Sequence, residues 1–165
     1  MEEINAYFSE IYDQYVKKIY RFIYLKVSSV ETAEDLSSEV FLRLYKHIQD
    51  SKPVIENPQA FLYQIARNVI ADHYRGQKVQ LVSIEKTFIE IEDIGDPTQE
   101  QAETSIEMDR IKQALTQIND DYQDLIIWRY IDELTVPEIA QITGKTEENV
   151  RVGVHRALLA LREKV

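Results

Sequence analysis

Residues 131–158 read IDELTVPEIAQITGKTEENVRVGVHRAL and contain two helix start signals with a glycine-containing turn between the two helices. Thr135 and Glu138 form a capping box, in which each side chain bonds a backbone N–H of the other residue. The run 143–146 is a tight turn, and Thr146 caps a second, longer helix. A short helix, a tight turn and a longer helix with basic residues make up the helix-turn-helix pattern, so this stretch predicts a DNA-binding module.

The second of these helices should extend to about Lys164 and has one apolar and one polar face. Val150, Val154, Leu158 and Leu161 form the inward stripe. The opposite face and its flank hold the candidate DNA-binding residues Glu148, Asn149, Arg151, Val152, His155 and Arg156. Asparagine pairs with adenine, arginine pairs with guanine, and valine contacts the thymine methyl group. The residues alone leave open an αα-hairpin that only packs.

Outside this stretch, apolar residues recur at helical spacing along almost all of the 165 residues, and only four glycines and four prolines interrupt them. The predicted fold class is all-α. The first helix should cover residues 4–27. Ser28 and Glu31 form a capping box for a second helix that should end near Asp50.

A third helix should begin at Asn57, because an asparagine followed by a proline is a strong start signal. It should run to Arg75, with Gly76 as its stop. Thr104 and Glu107 form a further capping box, which should open the helix that leads into the C-terminal domain.

The formal charge of −10 is distributed unevenly along the chain. Residues 1–76 carry −2, residues 77–109 carry −7, and residues 110–165 carry −1. The two ends are nearly balanced, so each can present the basic face that phosphate binding requires. The predicted architecture is two small helical domains, 1–76 and 110–165, joined by an acidic linker.

Composition excludes several kinds of site. The chain has no cysteine, so it contains no disulfide or thiolate metal site, and His47, His73 and His155 form no helical metal pair. We therefore expect no metal and no other cofactor. No apolar run approaches the ~20 residues of a membrane span, and the N-terminal residues do not resemble a signal peptide, which predicts a cytoplasmic protein.

Two faces of the N-terminal domain carry residue types that suit binding. In the second helix Glu31, Asp35 and Glu39 recur at four-residue spacing beside Phe41. Taken alone, this acidic stripe predicts a solvated face.

In the third helix the spacing predicts that Phe61, Ile65, Ala66 and Val69 face the core. The opposite side and its flanks hold the candidate residues Tyr63, Arg67, Asn68, Tyr74 and Arg75. Aromatic rings interleaved with arginines suit single-stranded DNA, because unpaired bases stack on the rings. Half-buried surface tyrosines are the alternative interpretation.

Three ordered segments resemble the extracytoplasmic-function (ECF) sigma factors of the sigma-70 family. Residues 131–158 are similar to region 4, which reads the −35 promoter element. Residues 33–45 look like the segment that binds core RNA polymerase, and residues 57–75 look like the −10 recognition helix. The resemblance covers residues 8–75 and 112–165.

The resemblance implies a non-enzymatic subunit that directs RNA polymerase to promoters. It implies that the acidic stripe and Phe41 bind core polymerase, that the polar side of the third helix holds the melted −10 strand, and that the last helix reads promoter DNA at −35. It further implies an anti-sigma factor as a partner. The loop 51–56 is similar in position to the family's pocket that captures an extruded −10 base, although its sequence gives no independent support. The linker would pass through polymerase channels, although composition alone equally favours a solvated tether.

The sequence departs from the family pattern at Gly153 and Leu159, where relatives commonly carry basic residues. Fewer phosphate contacts imply weak binding to free DNA and a strong dependence on polymerase.

Two other functions are possible readings of the sequence. A stand-alone helix-turn-helix regulator would need a dimerisation helix, for which the chain shows no obvious seam. A small hydrolase using Asp35 and Glu39 would need a nucleophile, a metal cluster or a phosphate-binding glycine loop, none of which the sequence contains.

Overall fold

The computed structural model describes residues 2–51, 55–79 and 109–165. Within these ranges the regular elements are helices and no residue lies in a strand, so the predicted all-α class is confirmed. The chain divides into two compact units, residues 1–89 and 90–165. None of the described helices is both long and apolar enough to cross a membrane.

The described residues of the first unit form three amphipathic helices, α1 (Glu2–Val27), α2 (Val30–Ser51) and α3 (Pro58–Val79). Their apolar stripes meet in one core. Its fully buried members are Ile19, Phe22, Ile23, Ala33, Val40, Leu44, Leu62, Tyr63 and Ala66. Burying each large apolar side chain of this kind stabilises the fold by about 1.5–3 kcal/mol. Packing in this core therefore contributes more to the stability of the helices than their intrinsic helical propensity does.

The junction between α1 and α2 differs by one residue from the predicted capping box. Ser28 has a positive φ of 57° and its N–H donates to the Tyr24 carbonyl at 2.8 Å, so it ends α1. Ser29 is the N-cap of α2, since its Oγ accepts from the Thr32 N–H at 3.2 Å. The prediction that Ser28 and Glu31 form the box is therefore wrong, because Ser28 is already used to close the preceding helix.

Helix α3 begins as predicted and ends later. The Asn57 Oδ1 accepts from the Ala60 N–H at 3.1 Å, which confirms the N-cap. The predicted end at Arg75 is wrong, since the helix continues through Gly76 to Val79. Gly76 does not adopt a positive φ, and glycine in a helix interior costs only about 1 kcal/mol relative to alanine.

The second unit contains a helical segment over residues 109–116, here α4, followed by α5 (Asp120–Ile126) and a π-helical turn (Ile127–Ile131). Helices α6 (Val136–Thr143) and α7 (Glu147–Lys164) complete it. The predicted linker 77–109 falls mostly on residues 80–108, which lie outside the described residues, as does the capping box of Thr104 and Glu107.

The π-helical turn is a feature that the sequence pattern did not predict. It places Trp128 in a fully buried position, and the Leu134 N–H then donates to the Trp128 carbonyl at 2.8 Å. The Arg129 Nη1 donates to the Leu134 carbonyl at 3.2 Å. These bonds satisfy backbone groups at the end of the turn and fix the chain before α6.

The position of Tyr63 contradicts its predicted place on the polar side of α3. Tyr63 is 0% exposed, and its ring contacts Phe22 edge-on at a centroid distance of 5.3 Å. Phe61 and Ile65, predicted to face the core, are only half-buried. The apolar stripe of α3 is centred on Leu62, Ala66 and Ile70 rather than one residue earlier, so Tyr63 turns inward.

Replacing Tyr63 tests this placement. Tyr63→Ala should lower the free energy of unfolding by about 3–5 kcal/mol, because it removes a buried aromatic ring from the core. Tyr74→Ala is the matched control, since Tyr74 is 38% exposed and should lose only about 1 kcal/mol with its hydrogen bond. Urea unfolding followed by circular dichroism measures both. An equal, small effect of the two substitutions would contradict the burial of Tyr63.

Candidate polymerase and nucleic-acid interfaces

The turn before α7 fixes the start of that helix. Gly144 has a φ of 73°, which glycine adopts without strain, and its N–H donates to the Ala140 carbonyl at 2.8 Å. The Thr146 Oγ1 then accepts from the Asn149 N–H at 3.1 Å. The Thr135 capping box of α6 is also present, with bonds of 3.2 and 3.0 Å. The predicted helix-turn-helix is therefore confirmed in its local geometry.

The inner face of α7 packs closely on α5. Val150, Val154 and Ala157 are buried, and a Cβ atom at Gly153 would lie 3.0 Å from the Leu125 Cδ1. Gly153 is thus at the helix contact, where a basic side chain would have to displace Leu125. Only the other departure from the family pattern, Leu159, is on the exposed side, at 47% exposure.

The outer face of α7 presents the predicted DNA-binding residues together. Each of the six is exposed: Glu148, Asn149, Arg151, Val152, His155 and Arg156. The Arg151 Nη2 lies 3.9 Å from a Glu147 carboxylate oxygen, a pair that remains open to solvent. This face therefore offers amide, guanidinium and methyl groups to a groove of duplex DNA.

Four of the five residues predicted on α3 are accessible at least in part. Asn68 and Arg75 are exposed and seven residues apart, so they share the outward face, whereas Arg67 is half-buried. Tyr74 is exposed, but its hydroxyl donates to the Lys26 carbonyl at 2.6 Å and joins the ends of α3 and α1. Tyr63 cannot reach a ligand from the core.

On α2 the acidic stripe is accessible and Phe41 is not. Glu31 and Asp35 are exposed, and Glu39 is half-exposed. Phe41 is 4% exposed and its ring lies 4.9 Å from the Tyr12 ring, so it lies beneath the surface of α2 and not on the stripe itself. Its side of α2 turns toward α1.

Leu42 is the surface residue that the sequence analysis missed. It is 48% exposed, and it lies seven residues after Asp35 and three after Glu39. That spacing puts it within the acidic stripe. An apolar side chain between carboxylates is the signal that could have identified it.

An ion-pair chain connects α2 with α3. The Arg43 Nε lies 2.9 Å from the Glu39 Oε1, and the Arg43 Nη2 lies 3.7 Å from the Asp72 Oδ2. Asp72 in turn lies 3.6 Å from Arg75. These groups are 41% to 77% exposed, so each pair contributes at most about 1 kcal/mol and exchanges readily for a partner's charge.

The loop after α2 is held from α1. The Ile55 N–H donates to the Tyr7 hydroxyl at 3.0 Å. Residues 52–54 of the predicted base-capturing loop 51–56 lie outside the described residues. Across the described ranges, no group of three or more His, Asp or Glu side chains could hold a metal ion.

Comparison with known proteins matches both units. Residues 11–79 match the family model for Sigma-70 region 2, and residues 108–161 match that for Sigma-70, region 4. The chain is 31% identical to the ECF RNA polymerase sigma factor SigW of Bacillus subtilis, over 96% of this chain and 88% of SigW. It is 30% identical to the ECF RNA polymerase sigma factor BldN of Streptomyces coelicolor, over 93% of this chain but only 58% of the length of BldN.

A solved structure agrees with these relatives. The sigma factor RpoE of Bartonella quintana, crystallised with the anti-sigma factor NepR, superposes with a TM-score of 0.69 at 25% identity, over 95% of each chain. The two family models lie in the same order as the segments whose sequences resemble them. The chain therefore belongs to the ECF sigma factors of the sigma-70 family, and its function is that of an RNA polymerase sigma factor.

Proposed function

We propose that the first unit binds core RNA polymerase through α2 and holds the melted −10 strand on α3, while α7 of the second unit reads the −35 element. The chain would then supply promoter specificity, and the polymerase would supply all of the catalysis. Such a role would require the protein in the cytoplasm, where the chromosome is. The observation that carries the proposal is the ordered match of regions 2 and 4 in one chain.

The acidic stripe supports the polymerase contact. Glu31 and Asp35 are exposed on the same face of α2 as Leu42, so the surface combines carboxylates with one apolar side chain. Such a surface suits a basic segment of the polymerase, because complementary charge increases the encounter rate and fixes orientation. Glu39 can exchange its exposed ion pair with Arg43 for one with a polymerase cation at little cost in free energy.

The outward face of α3 supports the −10 contact. Asn68 and Arg75 are exposed together, and Tyr74, which precedes Arg75 in the chain, is exposed as well. Arginine can bind the phosphate backbone, and an exposed ring can stack on an unpaired base. In this proposal Tyr63 acts only through the core.

The face of α7 supports the −35 contact. Arg156 and Asn149 carry the groups that recognise guanine and adenine in the major groove, and Val152 can contact a thymine methyl. Glu147 and Glu148 lie in the first helical turn, where their charges stabilise the helix dipole.

An anti-sigma factor is a further proposed partner. The structurally similar RpoE was solved in complex with one, and its overlap with this chain extends over both units. A stand-alone helix-turn-helix regulator gains no support, because it would leave the region 2 match over residues 11–79 without a role.

Removing charge from the stripe tests the polymerase contact. The double variant Glu31→Gln, Asp35→Asn should bind core polymerase roughly ten-fold more weakly at low salt, with a smaller difference at high salt, because exposed charges are screened. The control Glu3→Gln, Glu10→Gln removes the same charge from exposed positions of α1. Titration of labelled chain with core polymerase measures both. Equal affinities of the two double variants would exclude the stripe.

Arg156 tests the reading of the −35 element. Arg156→Ala should reduce discrimination at one base pair by about 1–3 kcal/mol, since a bidentate contact to a base edge is lost. Arg162→Ala is the comparison, and it should weaken transcription from all sequences uniformly if it binds phosphate. Transcription by the reconstituted enzyme from promoters varied at each −35 position separates the two patterns. A uniform loss with Arg156→Ala would contradict base reading.

A further inference from the structure

A groove between α1 and α2 lies beside the acidic stripe and has a volume of about 320 Å³. That volume is near the lower end for small-ligand sites, so it suits one long side chain. Its walls include Tyr12, Val16, Tyr20, Glu34, Ser37 and Phe41.

The floor of the groove holds a polar atom without a partner. Ser37 is 7% exposed, and within the described part of the chain its Oγ makes no hydrogen bond. Leaving a buried hydroxyl unsatisfied is unfavourable, and rotation of the Ser37 side chain toward the groove would let an entering donor satisfy it. The groove is therefore better suited to a donor than to a purely apolar group.

The walls favour a flat cation. Tyr12 is 40% exposed and packs on Phe41, and Glu34 supplies a carboxylate near Tyr20. Burial and the Glu34 charge both raise the pKa of Tyr20, which indicates a partly desolvated wall with a negative potential. A guanidinium group stacks on aromatic faces and donates several hydrogen bonds in its plane. Lys17 is at the rim, but it is exposed and can keep its ammonium in water.

The groove continues into the acidic stripe. Ser38 lines the groove and lies three residues after Asp35 and four before Leu42, so these positions are neighbours on α2. A partner that binds the stripe can therefore place a side chain in the groove.

We propose that this groove is a socket for an arginine side chain of core RNA polymerase. The guanidinium donates to the Ser37 Oγ and the Glu34 carboxylate and lies against the tyrosine rings. The inference rests on the proposed polymerase contact and deepens it, because it adds an anchoring site that the stripe alone does not provide. Buried arginines of this kind are frequent hot spots of protein interfaces.

Two variants of the full chain test the socket, with core polymerase as the probe. Ser38→Trp fills the groove from an exposed position, and Glu34→Gln removes the carboxylate. Each should weaken core binding roughly ten-fold. Gln14→Trp and Glu10→Gln are matched controls at exposed positions of α1, and they should stay within about two-fold. Circular dichroism checks that each variant is folded. If Ser38→Trp does not fold, the binding of Glu34→Gln alone tests the socket.

A photo-crosslinker at position 38 identifies the partner residue. The crosslinked polymerase peptide should contain an arginine. Replacing that arginine by lysine should cause no further loss of affinity when the sigma chain already carries Glu34→Gln. A peptide without arginine, or groove variants that bind like wild type while Glu31→Gln, Asp35→Asn is impaired, would overturn the socket and leave the proposed function intact. A wild-type chain that does not bind core polymerase would overturn both. If the groove variants bind core polymerase like wild type and lose affinity only for an anti-sigma factor, the groove would be assigned to that factor instead.

Discussion

The contact of Tyr63 with Phe22 is the interaction on which the first unit depends. Both side chains are fully buried, and their rings meet edge-on at 5.3 Å. This contact sets the rotation of α3 about its own axis, and it thereby decides which residues of the helix face outward. With Tyr63 inside, Asn68 and Arg75 are turned to the surface. The DNA-binding face proposed for α3 is thus a consequence of how its core face is filled.

The same constraint applies to the other binding helices, since each can bury only one face. On α2 the inward turn of Phe41 leaves the carboxylates and Leu42 exposed. On α7 the close approach at Gly153 brings the helix against α5 and leaves the polar face free. Core packing and the proposed partner binding therefore use opposite sides of the same three helices. A substitution on the buried side will disturb a binding surface without touching any ligand.

Much of this organisation could be predicted from the sequence, because caps and turns are local. Asn57, Thr135 and Thr146 each cap the helix that the sequence assigns to them. The errors arose where tertiary packing decides. Tyr63 and Phe41 are amphipathic or apolar residues at the border of a stripe, and a rotation by one residue moves them between surface and core.

The remaining differences have equally specific causes. Ser28 was expected to cap α2, but it adopts a left-handed conformation that ends α1, and a neighbouring serine takes its role. The π-helical turn at Ile127–Ile131 accompanies the burial of Trp128, which no short-range pattern encodes. The residue types of the proposed binding faces could be predicted, since charge and side-chain type are visible in the sequence. Which of these residues are exposed could not, because that depends on how the helices pack.

The central claim is that two units of one chain become competent for promoter contact when they are mounted on polymerase. Transcription in vitro from genomic fragments tests it most directly, with purified chain, core polymerase, or both. We expect discrete promoter-specific transcripts only when both are present, and weak duplex binding by the chain alone. Tight, sequence-specific binding of the isolated chain to duplex DNA, with no transcripts on addition of core polymerase, would contradict the account.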